Sequence, residues 1–167
     1  MRLLVICTLL AGLVVPGTLA LAQDSEPQLQ TTYCNFADGN QLSMQYNPSG
    51  KNQEEPKYGK VWEPGGAPMA LFTQAPVVFN HVEIPVGAFT VYVVPNKKEW
   101  TLVVSKNVAA GSKYDETQDL VRGPMELGNV STPVKPMQVA LAHMAPKTCT
   151  LRLYYGNVGA MAEFTEK

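Results

Sequence analysis

From Thr31 onward the chain is a series of short runs in which apolar and polar residues alternate, each ended by Gly, Pro, Asn or Asp. "TTYCNF" (31–36) and "QLSMQY" (41–46) flank "ADGN", whose Asp38-Gly39 predicts a hairpin. A polar loop, "NPSGKNQEEPK" (47–57), leads into "YGKVWEPGG" (58–66), then the short runs "MALFT" (69–73), "PVVF" (76–79) and "VEI" (82–84). Asn80-His81 reads as a tight turn between the last two. The best-defined unit is "GAFTVYVVPNKKEWTLVVSKN" (87–107), where β-branched and aromatic runs at 88–94 and 100–105 flank "PNKKE" as a second hairpin. Residues 108–119 are polar and irregular, and further runs follow at 120–127, 134–144, 148–155 and 158–164.

No stretch of 11–18 residues beyond the first 22 sustains a 3.6-residue period, while the chain's thirteen prolines and thirteen glycines, all but three of them beyond residue 22, punctuate the runs. Short strands broken by turns at this rate predict an all-β, single-domain antiparallel β-sandwich, with a jelly-roll-like or partly closed barrel as the alternative arrangement. The domain is expected over 31–167, after a flexible polar N-terminus at 23–30.

The start of the chain has a different pattern. In residues 1–22, Arg2 precedes an apolar run from Leu3 to Val15, Pro16-Gly17 breaks it, and Ala20-Leu21-Ala22 supplies a small-x-small site. That is the pattern of a secretory signal peptide, too short for a membrane span, so a secreted or periplasmic location is expected, with no membrane span after cleavage. Removing it also removes one of thirteen basic residues against fourteen acidic ones. A weakly acidic chain without a polybasic patch disfavours nucleic acid as the main partner.

Two cysteines remain, Cys34 and Cys149. An even pair in an oxidising compartment predicts a disulfide, and two buried thiols packing as small hydrophobes are the alternative. Alternation places Cys149 with Leu151, Leu153 and Tyr155, and Cys34 with Phe36, so both sulfurs face inward. Either reading accommodates that.

"YGKVWEPG", "IPVGAFTVYVVPNKKEWTLVVSKN" and "YDETQDLVR" follow one another in the order and spacing seen in bacterial proteins of the domain-of-unknown-function family 2911, which the chain resembles from about Leu42 to its C-terminus. Pro85, Gly87, Phe89, Pro95 and Trp100 carry the most specific part. The resemblance implies an exported, mostly β protein and brings no catalytic residues with it. The chain departs from the family's pattern at Glu63, where Arg follows the Trp, at Ala67 in place of Asn, and at Asn47-Pro48-Ser49 in place of Arg-Pro-Ser. A carboxylate cannot replace the five donors of a guanidinium.

Among groups that could carry chemistry, the serines lack a nucleophile elbow and the glycine pairs lack a phosphate-loop Lys-Ser/Thr. Glu54-Glu55 reads as solvated charge in a loop, and Asp115 as a turn or capping residue. His81, Glu83 and His143 would serve a cupin-like metal-dependent enzyme, but the set falls short of a full ligand sphere. No cofactor is implied. The remaining cluster is aromatic: Tyr58, Trp62 and Tyr114, with Glu63 beside them, lie on loops over a β scaffold, where flat rings hold sugars or peptides. Trp62 and Trp100 could equally plug the ends of the core, and the alternating pattern favours that for Trp100. The expected function is therefore a non-catalytic module binding an unknown ligand or envelope component, and not an enzyme.

Overall fold

A computed structural model describes residues 29–48, 55–109, 111 and 113–167; the predicted leader and most of the polar loop before the Trp segment lie outside them. The strands are β1 (Gln30–Asn35), β2 (Gln41–Tyr46), β3 (Met69–Thr73), β4 (Val77–Phe79), β5 (Val82–Ile84), β6 (Gly87–Val94), β7 (Trp100–Ser105), β8 (Asp119–Ala145) and β9 (Thr148–Glu166). They form one antiparallel sheet in the order β1-β2-β3-β6-β7-β8-β9-β4-β5, which is not closed into a barrel. Among the described residues no helix is long and apolar enough to cross a membrane.

The short hairpins form where turn chemistry dictates. Asp38 Oδ1 accepts from the Asn40 N–H at 2.9 Å, and Gly39 takes a φ of 94°. Asn80 and His81 both have positive φ, 46° and 64°, the signature of a two-residue turn whose twist suits the flanking strands. The Asn80 side chain then docks that turn by donating to the Arg122 carbonyl at 2.7 Å. A Cβ at Gly123 would lie 2.6 Å from atoms of Phe79 and Asn80, so glycine is required for this approach.

The long strands differ from the sequence expectation. The runs 120–127 and 134–144 are parts of a single 27-residue β8, and 148–155 and 158–164 are parts of a single 19-residue β9. The Gly and Pro residues between the runs, expected to mark turns, sit inside the strands at breaks in register. From Asn129 to Val134, β8 advances five residues while β9 advances two, and from Val134 to Gln138 it advances four against two. Prolines lack an N–H, and here Pro133 and Pro136 occupy the stretch where the ladder is interrupted. The bulged hairpin folds back on itself, so that the Glu166 N–H reaches the Lys147 carbonyl at 2.7 Å.

Folding of the sheet encloses one core. Leu42, Met44, Met69, Leu71, Val91 and Leu102 meet Leu151, Leu153, Ala160 and Phe164 within it, and all are fully buried. The free edge of β1 is held against the β8–β9 hairpin without a backbone ladder between strands. Thr32 Oγ1 accepts from the Leu141 N–H at 3.0 Å, Asn35 O contacts His143 Nδ1 at 2.7 Å, and Ala37 N donates to Pro146 O. The decisive link is a disulfide, Cys34–Cys149, joining β1 to β9 across 115 residues of chain. Both inward-facing sulfurs of the sequence reading are thus bonded.

Cross-linking so distant a pair restricts the unfolded chain, by about 4–5 kcal/mol in the chain-entropy model. Replacing both cysteines by alanine is expected to lower unfolding free energy by about 2–5 kcal/mol in urea titrations. A loss below a few tenths of a kcal/mol would show that the seam holds without the bond.

Candidate functional site

Most residues of "YGKVWEPGG" have a local physical role. Lys60 N donates to Lys57 O at 3.2 Å, and Gly59 at the third position has a φ of 73°, as a type II turn demands. That turn pushes Tyr58 outward, where it is 62% exposed. Gly59 N then donates to Pro95 O, fixing the turn to the β6–β7 hairpin. Trp62 pairs with Val93 through two backbone bonds, N to O at 2.7 Å and O to N at 3.1 Å. Pro64–Gly66 form a 3₁₀ turn in which a Cβ on Gly65 would fall 1.8 Å from the Asn47 carbonyl oxygen. No other residue fits there.

The paired backbone at Trp62 aims its ring into the end of the core, where it is 6% exposed. Its edge meets Trp100 at 5.7 Å and Tyr155 at 5.2 Å between centroids, both in edge-to-face geometry. Trp100 and Tyr155 in turn back an open groove of about 650 Å³. Its walls are the 55–58 loop, the β6–β7 turn, and the stretch of β8 and β9 where the register breaks. The rim carries Tyr58, three amides (Asn96, Asn129, Asn157), and four charged residues, Glu55, Lys97, Lys98 and Lys135.

Lys135 Nζ lies 2.9 Å from Glu55 Oε1 and 5.4 Å from the Tyr155 ring centroid. The Lys135 bond holds the Glu55 carboxyl below its usual range, with Tyr155 as a second contributor. Burial, then the Glu55 carboxylate, pushes the Tyr155 hydroxyl up.

The sequence cluster therefore separates in space. Tyr58 stands on the groove rim and Trp62 lies behind its back wall. Glu63 and Tyr114 belong to a different surface, the outer face of β6, β7 and β8. There Tyr92, Val103 and Arg122 are register neighbours, and Tyr92 and Val103 are buried outside the main core. Tyr114 covers them from the loop, with ring centroids 5.0 Å from Tyr92. Its hydroxyl donates to Asp119 Oδ2 at 2.6 Å and accepts from Arg122 Nη2 at 2.8 Å. Arg122 Nε lies 3.0 Å from the same Asp119 oxygen, and Nη1 reaches Glu116 at 3.0 Å. Asp115 caps the short turn at 116–118 through the Thr117 N–H. Burial raises the Glu63 carboxyl, and it raises Tyr92 together with the charges of Glu63 and Asp119.

The histidines do not build a centre with Glu83. His81 occupies the β4–β5 turn, and His143 bonds the Asn35 carbonyl near the β8–β9 turn. Glu83 is paired with Lys167 at the chain end. Among the described residues no three His, Cys, Asp or Glu side chains group closely enough to hold a metal ion.

Sequence reading did not single out Glu55, Lys97, Lys98, Lys135, Tyr155 or the three asparagines as a set. They come from four separate segments, and only the bulged course of β8 brings the last of them near the others. The one available signal was the clustering of Pro and Gly between 123 and 136, which is uncommon within paired strands.

Strands and groove define the class: an all-β antiparallel domain with an aromatic-backed groove at one open end of its core. The chain belongs to the family described as "Protein of unknown function (DUF2911)", whose model matches residues 28–164. Comparison with curated proteins and with solved structures finds no match.

Asp119 offers a direct check of the outer cluster. Its side chain is 9% exposed, Oδ1 has no hydrogen-bond partner, and burial raises its acid value despite the Tyr114 bond and Arg122. A carboxyl raised on folding stabilises the fold below its unfolded value, and that contribution is lost as pH rises through its folded one. The stability of the natural chain relative to Asp119→Asn is therefore expected to fall as pH rises above the ordinary aspartate value of about 4, read from urea midpoints. A difference that is constant with pH would contradict the assignment.

Proposed function

We propose that the protein is exported to the periplasm or the exterior and acts there as a non-catalytic binding module, its ligand seated in the groove bounded by Tyr58, Trp100 and Tyr155. One observation carries this reading. An exposed tyrosine stands over an open groove whose back wall is two aromatic rings held in place by a third. Such a lining presents flat apolar faces and convergent amides, the usual composition of a site that holds a ring-bearing polar ligand. The one carboxylate among the described lining residues, Glu55, is engaged by Lys135, and Cys34 and Cys149 are tied up in the disulfide. Export is supported by the leader-like residues 1–22 and by the disulfide, which persists in oxidising compartments.

Both tryptophans of the chain belong to the aromatic stack, so intrinsic fluorescence reports directly on the groove. Glycans and envelope fragments that bind are expected to shift Trp emission. Tyr58→Ala should weaken such binding by about tenfold with little change in stability, because the ring is exposed. No shift with any glycan or peptide offered, or full affinity in Tyr58→Ala, would remove the groove as the site. The exported form should begin at Gln23; a mature chain recovered from the cytoplasm with residues 1–22 intact would refute export.

A further inference from the structure

The groove's charge comes from parts of the chain remote from the Trp segment. Lys97 and Lys98 occupy the β6–β7 turn and Lys135 the bulged part of β8, against one carboxylate among the described lining residues, Glu55. Lys97, Lys98 and Lys135 are exposed, and their ammonium groups are compact donors suited to a mobile carboxylate. The three asparagines can each donate and accept, which matches hydroxyl groups that do the same. Exposed Tyr58 supplies a face on which a sugar ring can pack.

Glu55 adds the informative detail. Its carboxylate sits on Lys135 over the Tyr155 ring, both partners being well exposed at 71% and 60% of their side chains. A pair so exposed is held weakly in water. It places a carboxylate where the groove has its cation nearest an aromatic face, and thereby occupies the position with the chain's own group. On the reading that the groove is the ligand site, we propose that it binds a carboxylated sugar chain, a uronate-type oligosaccharide, whose carboxylate takes the place of Glu55 on Lys135.

Other anions fit less well. A nucleic-acid strand would meet a chain of formal net charge −1 with no arginine among the described lining residues, although guanidinium is the group best matched to phosphate. An acidic peptide would use the lysines and the amides, and lacks the flat ring face that suits Tyr58.

The experiment is calorimetric titration of the full mature chain at low salt with an oligogalacturonate, a neutral oligosaccharide of the same length, and oligoglutamate, with Trp emission followed in parallel. The oligogalacturonate is expected to bind about tenfold more tightly than either of the others and to weaken as salt rises. Lys97→Gln/Lys98→Gln should lower its affinity by about tenfold. Glu55→Gln should raise it by about two- to fivefold, since a competing surface carboxylate is removed. These positions are exposed, so folding is not at issue.

Equal affinity for the neutral sugar would overturn the acidic class while leaving the groove as a site. Equal affinity for oligoglutamate would overturn the sugar class. Unchanged or weaker binding in Glu55→Gln would overturn the displacement of Glu55. Silence from all three ligands in both heat and emission would overturn both this proposal and the groove reading for glycans.

Discussion

Two backbone hydrogen bonds between Trp62 and Val93 hold together the part of the molecule on which the rest depends. They turn a loop residue into a short extra rung beside β6 and aim the indole into the gaping end of the core. Burying such a ring is worth several kcal/mol, and truncating one to alanine typically costs about 3–5 kcal/mol. The consequences extend past stability. Trp100 and Tyr155 are each braced by an edge of Trp62, and both present their other sides to the groove. Without the plug the groove would have no fixed back wall. The glycines on either side of it follow from the same requirement: Gly59 permits the turn that brings the loop to the β6–β7 hairpin, and Gly65 leaves room for the Asn47 carbonyl.

The groove itself exists because β8 fails to stay in register. A 27-residue strand cannot cover a small core from end to end, and its middle, from Leu127 to Pro136, is largely exposed while both ends alternate buried and exposed. Excess residues on β8 open the surface opposite the 55–58 loop, and that opening is where Lys135 stands. The prolines and glycines there would weaken an ordinary central strand. Here Pro133 and Pro136 sit where backbone pairing has already been given up, while Gly128 keeps its partner, Gly159.

Most of the fold was legible in the sequence because short hairpins declare themselves through turn residues with specific backbone needs. β2, β3, β5 and β7 match their predicted ranges, and β1, β4 and β6 come within one residue. Alternation turned Cys34 and Cys149 inward, while the bond between them was expected from an even pair in an oxidising compartment. What alternation cannot show is whether a glycine or proline ends a strand or bulges it, since both outcomes relieve the same local conflict. The difference is decided by partners distant in sequence, as between Asn129 and Gln138, where β8 slips against β9. For the same reason the site was only half visible. Tyr58 was found because its aromatic loop was conspicuous, whereas Lys97, Lys98 and Lys135 acquire a common role only after β8 bulges.

That separation alters the meaning of Glu63. In the sequence, a carboxylate in place of the family pattern's arginine implies a loop less suited to anions. In the fold, Trp62 points inward, so its successor points outward, away from the groove and toward Tyr92 beneath the Tyr114 loop. The sign of the residue at 63 therefore bears on the charge around Tyr92 on the outer face of the sheet. There it adds a negative charge beside a buried tyrosine that already faces Asp119. An arginine in the same place would put a cation on that side of Tyr92 and leave the groove's lysines untouched. Adjacent residues in one loop thus serve opposite faces of the sheet, and the polarity of the groove is set by Glu55 and three lysines elsewhere in the chain.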